Sequence, residues 1–271
     1  MRIGTGRVAE LCLVTDLDRT CYKTGIAGLK IGAAIEDVMG IESASLNTTV
    51  AERRKAGQTT QIVDLLKDKG ASPRNMEDVF QKFVDTTTPE EVIYPDVDPF
   101  FTAVDESELV TAVLLTMGPG LQQEAKICTT GLQGRVPYVI ADPDTMANAE
   151  EKDWQIKSWV TKNGIIVPRL TPPQRWQGGH PHDARANAAI LIEDKYKAFG
   201  MSTRWPRAGD RPGIGGFWVD RPEERDRGLT PGEKEALPGV IEYTEGLSEI
   251  TVFVRSPQEL LRHPMVQRWA A

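Results

Sequence analysis

Apolar residues run in two rhythms along this chain of 271 residues, and their alternation predicts the architecture. The first rhythm is continuous. Leu11-Cys-Leu-Val14 is apolar throughout and then meets Thr15, Asp16 and Asp18, which reads as a short buried strand ending in charge. Similar runs follow at Leu109–Leu115, Val136–Ala141, Ala188–Ile192, Phe217–Val219 and Ile250–Val254. The second rhythm is helical. Leu29, Ile31, Ile35, Val38 and Met39 predict a helix that ends near Gly40. Val50, Ala51, Ile62, Val63, Leu65 and Leu66 predict one long helix or two shorter ones, with Thr48 or Thr49 as cap and Gly70 as stop. Ser72-Pro73 has the form of an N-cap followed by proline at the first helical position. Met76, Val79, Phe80 and Phe83 supply the apolar face that follows. Later helices are predicted over Leu121–Cys128 and over Asp153–Lys162, the second with Ile156, Trp159 and Val160 on its apolar side.

Continuous apolar strands separated by helices predict a parallel sheet covered on both faces. Residues 22–92 carry helical patterns alone, so the expected organisation is one α/β domain interrupted after its first strand by a helical insertion. Ile165–Asn187 and Met201–Pro238 are rich in proline, glycine and arginine and read as ordered loops or edge decorations.

Composition narrows the class. With 32 basic and 39 acidic residues the net charge is −7, which argues against a general nucleic-acid binder. Cys12, Cys21 and Cys128 are odd in number and lack a C-x-x-C spacing, which fits a reducing cytosol better than a disulfide framework. No stretch reaches the about 18 apolar residues a membrane helix needs. The first apolar run is broken by Asp16 and Asp18, unlike a secretion signal. A cytoplasmic protein with neither membrane nor nucleic-acid partner is expected.

The chemistry concentrates at strand ends. Side chains alternate along a strand, so Asp16, Asp18 and Thr20 share a side if the extended geometry persists. Two carboxylates this close repel unless one is protonated or a cation lies between them, and hard oxygen ligands suit Mg²⁺. By pattern alone the run fits a strand ending in a solvated acidic turn equally well. Thr116-Met-Gly-Pro-Gly120 joins a strand to a helix and forms either an anion cradle or a plain turn. Glu193-Asp194 is a second acidic pair at a strand end. Lys126, Lys152 and Lys157 are candidates to balance charge. Lys152, at the start of a predicted helix, is favoured over Lys126, which lies roughly 9 Å of helical rise beyond the cradle.

The order Asp16-x-Asp18-x-Thr20, helical insertion, apolar strand ending in Thr116, Lys152 before a helix, then apolar strand ending in Glu193-Asp194 resembles the four motifs of the haloacid dehalogenase-like (HAD) superfamily. The resemblance covers about residues 10 to 200. Leu114–Ile127 is similar to the second-motif region of the family's small phosphatases, and Tyr94-Pro-Asp-Val97 to their return from cap to core. The third motif departs by lacking Lys-Pro, and the fourth has Glu-Asp in place of Asp-Asp.

The resemblance implies a Rossmann-like parallel sheet core from residues 1–21 and 93–271 and an inserted helical cap over 22–92. It implies a phosphatase acting on a small phosphorylated metabolite, with Mg²⁺ as cofactor. Asp16 would be the nucleophile, Asp18 the general acid and base, Thr116 a phosphoryl-oxygen ligand and Lys152 the balancing charge. The metal set would be Asp16, Asp18, Glu193 and Asp194, with Asp18 contributing its backbone carbonyl. Asp18 is a carboxylate that the family's dehalogenases lack, which favours phosphate-ester hydrolysis, with phosphomutase transfer second. A receiver-like signalling domain would reverse the order of acidic pair and phosphoacceptor, and a binding protein on an inactive HAD scaffold would not need every chemical group. His180-Pro-His182-Asp183 has no Cys or close third His to support a second metal site, so solvated loop histidines are the simpler reading.

Overall fold

The computed structural model describes residues 9–55, 61–141, 160–161, 164–166, 185–194, 215–221 and 241–262. Its strands are β1 (Ala9–Thr15), β2 (Val110–Met117), β3 (Tyr138–Ala141), β4 (Val160–Thr161), β5 (Gly164–Ile166), β6 (Arg185–Glu193), β7 (Gly215–Val219) and β8 (Ile241–Thr244). The described helices are α1 (Thr24–Met39), α2 (Ser43–Lys55), α3 (Ile62–Asp68), α4 (Pro73–Asp85), α5 (Pro89–Val92), α6 (Val97–Glu106), α7 (Gly120–Thr129), α8 (Ser248–Arg255) and α9 (Pro257–Arg262).

Leu11 to Val14 are fully buried because β1 lies inside the sheet, parallel to β2 on one side and β6 on the other. A strand covered on both faces has no polar side, which is why its sequence reads as an unbroken apolar run. Parallel pairing extends the order to β3-β2-β1-β6-β7-β8. The short hairpin β4–β5 pairs antiparallel with the first part of β6, through Ile165↔Ala186 and Ile166↔Arg185, while β7 pairs from Ile190 onward. The α/β class with a parallel core is therefore as the sequence predicts.

Helix boundaries follow local chemistry. Gly40 adopts φ 67° and closes α1 with its N–H on the Glu36 carbonyl, as a left-handed C-terminal glycine does. Ser72 caps α4: its hydroxyl accepts from the Asn75 N–H at 3.1 Å, and Asn75 Oδ1 accepts from the Ser72 N–H at 3.1 Å. Val79, Phe80 and Phe83 are fully buried where α4 packs against α1 and α7, in one apolar cluster with Leu11, Leu13 and Ile190.

Three expectations need correction. Ile250–Val254 belongs to helix α8, and the neighbouring strand is β8. Ile250, Thr251 and Val254 are buried while Val252 is 63% exposed. That i, i+1, i+4 spacing is helical, and it overrides the β-propensity of the run. Val160 lies in strand β4, where the β-branched pair Val160-Thr161 meets Gly164-Ile165 across a two-residue hairpin spacing; Asp153–Trp159 is outside the described residues. Thr48 and Thr49 lie inside α2 and donate to the Ala44 and Ser45 carbonyls at 3.0 and 3.1 Å; neither is a cap.

The chain departs from the sheet into the helical stretch and returns to it at one point. Tyr22 and Ile93 form an antiparallel bridge, Lys23 N–H donates to the Val92 carbonyl at 2.7 Å, and Tyr94 N–H donates to the Cys21 carbonyl at 3.2 Å. No disulfide joins the three cysteines, and burial in β1 pushes the Cys12 thiol up to about 12. No helix among the described residues is long and apolar enough to cross a membrane.

Candidate functional site

Register assembles the acidic cluster. Thr15 pairs with Ile192, and the Asp16 N–H extends the ladder by donating to the Ile192 carbonyl at 2.8 Å. Glu193 ends β6 and Asp194 follows it, so carboxylates from two adjacent parallel strands meet at their carboxyl ends. Ligand oxygens of Asp16, Glu193 and Asp194 lie within 4.8 Å of one another, and all three residues are buried. Three carboxylates crowded into a dry space call for a cation or protons, and an all-oxygen set suits Mg²⁺. Trp218, paired with Glu193 across β6 and β7, donates its indole N–H to the Asp194 carbonyl at 2.9 Å.

The turn after β1 separates Asp18 from that cluster. Arg19 takes φ 63°, Cys21 and Tyr22 both donate their N–H groups to the Leu17 carbonyl, and the Arg19 N–H donates to the Tyr22 carbonyl. Thr20 folds back so that its hydroxyl donates to Asp16 Oδ2 at 3.3 Å. The Asp18 carboxylate accepts from Lys126 Nζ at 2.8 and 2.9 Å and from the Thr24 hydroxyl at 3.2 Å. Asp18 therefore engages a lysine, while Asp16, Glu193 and Asp194 form the grouped oxygens.

Lys126 corrects the distance argument made from sequence. Helical rise does carry its backbone beyond the cradle. Side chains on a helix tilt toward its N-terminus, however, and α7 buries every residue from Gln122 to Ile127. Lys126 is only 5% exposed and reaches the Asp18 carboxylate. Lys152 and Lys157 lie outside the described residues, as do His180 and His182.

Thr116 closes the other side. It is the penultimate residue of β2 and donates its hydroxyl to Gln123 Oε1 at 3.0 Å, while Gln123 Nε2 donates to the Met117 carbonyl at 3.1 Å. Gly118 has φ 146°, and a Cβ there would lie 2.7 Å from Gln123 Nε2, so this turn requires glycine. No side chain caps the start of α7, which leaves its first N–H groups as a natural anion cradle.

Sequence reading passed over Gln123, Trp218, Asp96 and Arg221. One signal was available: Val219-Asp220-Arg221 repeats the apolar-then-charged ending of β1 and β6. Nothing local marks Gln123, and Asp96 stood out only as part of Tyr94-Pro-Asp-Val97; the partners of both are set by tertiary packing.

Behind the site, burial on α7 pushes the Glu124 carboxyl up from its ordinary 4.5 to about 7. Between these values the folded chain holds a proton that the unfolded chain has released. This group's contribution is thus fullest below pH 4.5 and is lost as pH rises through 7. Glu124→Gln should raise the melting temperature at pH 8 and leave it nearly unchanged at pH 4, measured by thermal unfolding across that range.

No protein-family model and no curated relative matches the chain. Solved structures do match. A protein described as a haloacid dehalogenase-like hydrolase from Burkholderia xenovorans LB400 superposes with TM-score 0.55 at 14% identity, covering 90% of this chain and 96% of that one. The Bacillus subtilis HAD-hydrolase YfnB, solved bound to magnesium, gives TM-score 0.50 at 12% identity, covering 92% and 99%. A HAD hydrolase of family IA, variant 3, from Entamoeba histolytica gives TM-score 0.50 at 12% identity, covering 97% and 100%. The fold of this chain is the haloacid dehalogenase-like fold.

Proposed function

We propose that this chain is a Mg²⁺-dependent phosphatase that hydrolyses a small phosphate monoester through an aspartyl-phosphate on Asp16. The observation that carries the reading is the buried Asp16, Glu193 and Asp194 cluster at the carboxyl ends of two adjacent parallel strands, with Asp18, two residues beyond Asp16, held by Lys126. Ligands of open α/β sheets bind at this end of the strands.

Asp16, Glu193 and Asp194 would hold Mg²⁺, which when bound neutralises charge on the phosphoryl oxygens. In the first step Asp16 Oδ attacks phosphorus, the bond from phosphorus to the leaving oxygen breaks, and Asp18 gives that oxygen its proton. In the second step water attacks phosphorus, the bond to Asp16 breaks, and Asp18 takes the proton from water. Thr116 and the first N–H groups of α7 receive phosphoryl oxygens. Lys126 fixes where the Asp18 carboxylate points, and Lys152 is proposed as counter-charge to Asp16. The helices between Thr24 and Val92 are proposed as a cap that shields the cleft and selects the leaving group.

Full activity on phosphate monoesters should disappear in excess chelator and return with Mg²⁺. Mg²⁺ should also raise the melting temperature, by an amount that grows with the logarithm of its concentration above Kd. Asp194→Asn should reduce that rise. Undiminished turnover in chelator, together with a melting temperature indifferent to Mg²⁺, would rule the metal role out.

A further inference from the structure

Arg221 lies two residues beyond the end of β7 and is buried. Its guanidinium uses three nitrogens on two partners. Nε and Nη2 donate to the Thr20 carbonyl at 3.3 and 2.8 Å. Nη1 and Nη2 donate to Asp96 Oδ2 and Oδ1, both at 2.9 Å. The guanidinium carbon also lies 4.0 Å over the centroid of the Tyr94 ring. The Asp96 carboxylate accepts a third hydrogen bond, at Oδ2 from the Leu247 N–H at 2.6 Å. Gly246, at φ 146°, leaves room for this: a Cβ there would lie 2.6 Å from Asp96 Oδ2 and 2.8 Å from Arg221 Nη1. Charge, ring and backbone close the arrangement on all these sides.

A buried ion pair adds little net stability, because desolvation cancels most of its attraction. Its effect here is geometric. Thr20 is the residue whose hydroxyl donates to Asp16, and its carbonyl is what Arg221 grips. The same guanidinium, through Asp96, ties that turn to the point where the chain returns from the helical stretch and to the residue preceding α8.

We propose that Arg221 is a positioning residue that holds the Asp16–Thr20 turn in its working orientation, with Asp96 and Tyr94 fixing the guanidinium. The proposal rests on the reading of Asp16 as nucleophile and metal ligand. Lysine cannot substitute, because a single ammonium lacks the planar fork that meets a carboxylate and a carbonyl together.

The test uses the full chain with Arg221→Lys, Arg221→Met and Asp96→Asn. Turnover of p-nitrophenyl phosphate with Mg²⁺ and calorimetric titration of Mg²⁺ alone are both measured well below each variant's melting temperature. Displacing Asp16 slightly should cut kcat roughly 10- to 100-fold while KM changes little. Mg²⁺ affinity should weaken by about tenfold, as when a supporting partner of a metal ligand is removed. Methylguanidine should restore part of the lost kcat to a fourth variant, Arg221→Ala. A purely structural role lowers the melting temperature alone and gives no such split or rescue. Should Arg221→Met not fold, Arg221→Lys and Asp96→Asn carry the same readouts. Wild-type kcat and Mg²⁺ affinity in folded Arg221→Lys overturn the proposal. If the wild-type chain cleaves no phosphate ester yet binds Mg²⁺, and the variants bind it more weakly, the phosphatase reading falls and the positioning role stands.

Discussion

Asp16→Asn should leave no measurable turnover and no phosphoenzyme, in a protein that remains folded. An amide oxygen is a far poorer nucleophile than a carboxylate, so the step that makes the bond to phosphorus is lost outright. The change also removes one of the three carboxylates grouped within 4.8 Å, so Mg²⁺ affinity should fall with it. Folding should survive because the backbone ladder to Ile192 and the contact from the Thr20 hydroxyl do not require charge on residue 16. Relief of repulsion among the carboxylates should even raise the melting temperature of the metal-free protein. Acid-quench trapping of labelled phosphate, with thermal unfolding alongside, checks both halves. Near-native turnover would remove Asp16 from the nucleophile's role.

Lys126→Met should lower kcat by roughly 10² at saturating Mg²⁺, within the range that general acid–base catalysis supplies. The lysine is argued to work through Asp18, and that makes a sharper claim than the size of the loss. A cycle of Lys126→Met, Asp18→Asn and the double variant should be strongly non-additive, the double variant being no slower than Asp18→Asn alone. Losses that multiply would mean that Lys126 acts on the substrate independently of Asp18. Asp18 is 26% exposed at its side chain, so losing Lys126 leaves a carboxylate that water can reach, and the fold should tolerate the change. Leaving-group dependence adds a second view. An alkoxide leaving group should suffer more than a phenolate, since it needs more protonation as it departs.

The parts of this fold that were legible are those where one residue's surroundings are set by its neighbours in sequence. Leu11–Val14 announces a strand buried on both faces, and Ser72-Pro73 announces a helix start, because burial period and capping are local rules. Asp16 and Glu193-Asp194 were legible as strand-end carboxylates, and parallel pairing then brings them together. Ile250–Val254 misled because a short β-branched run fits a strand or one face of a two-turn helix equally well. Lys126 was misjudged from rise alone, since the direction of a helical side chain and the burial of α7 depend on what packs against it. The partners of Arg221 were illegible for a related reason: Thr20 is 201 residues away and Asp96 is 125.

Tyr22 and Ile93 stand side by side, and the peptide links on either side of their bridge are stitched together by backbone hydrogen bonds. To the sheet, everything between them is a detour that begins and ends at one doorway. The backbone ladders of β1 with β2 and β6, which set Asp16 against Glu193, do not run through the detour. One restraint travels with it: α4 leans on α7, the helix that carries Lys126. Under the proposed function, the stretch that selects the leaving group is therefore also the stretch that packs on the helix carrying Lys126, the partner of Asp18.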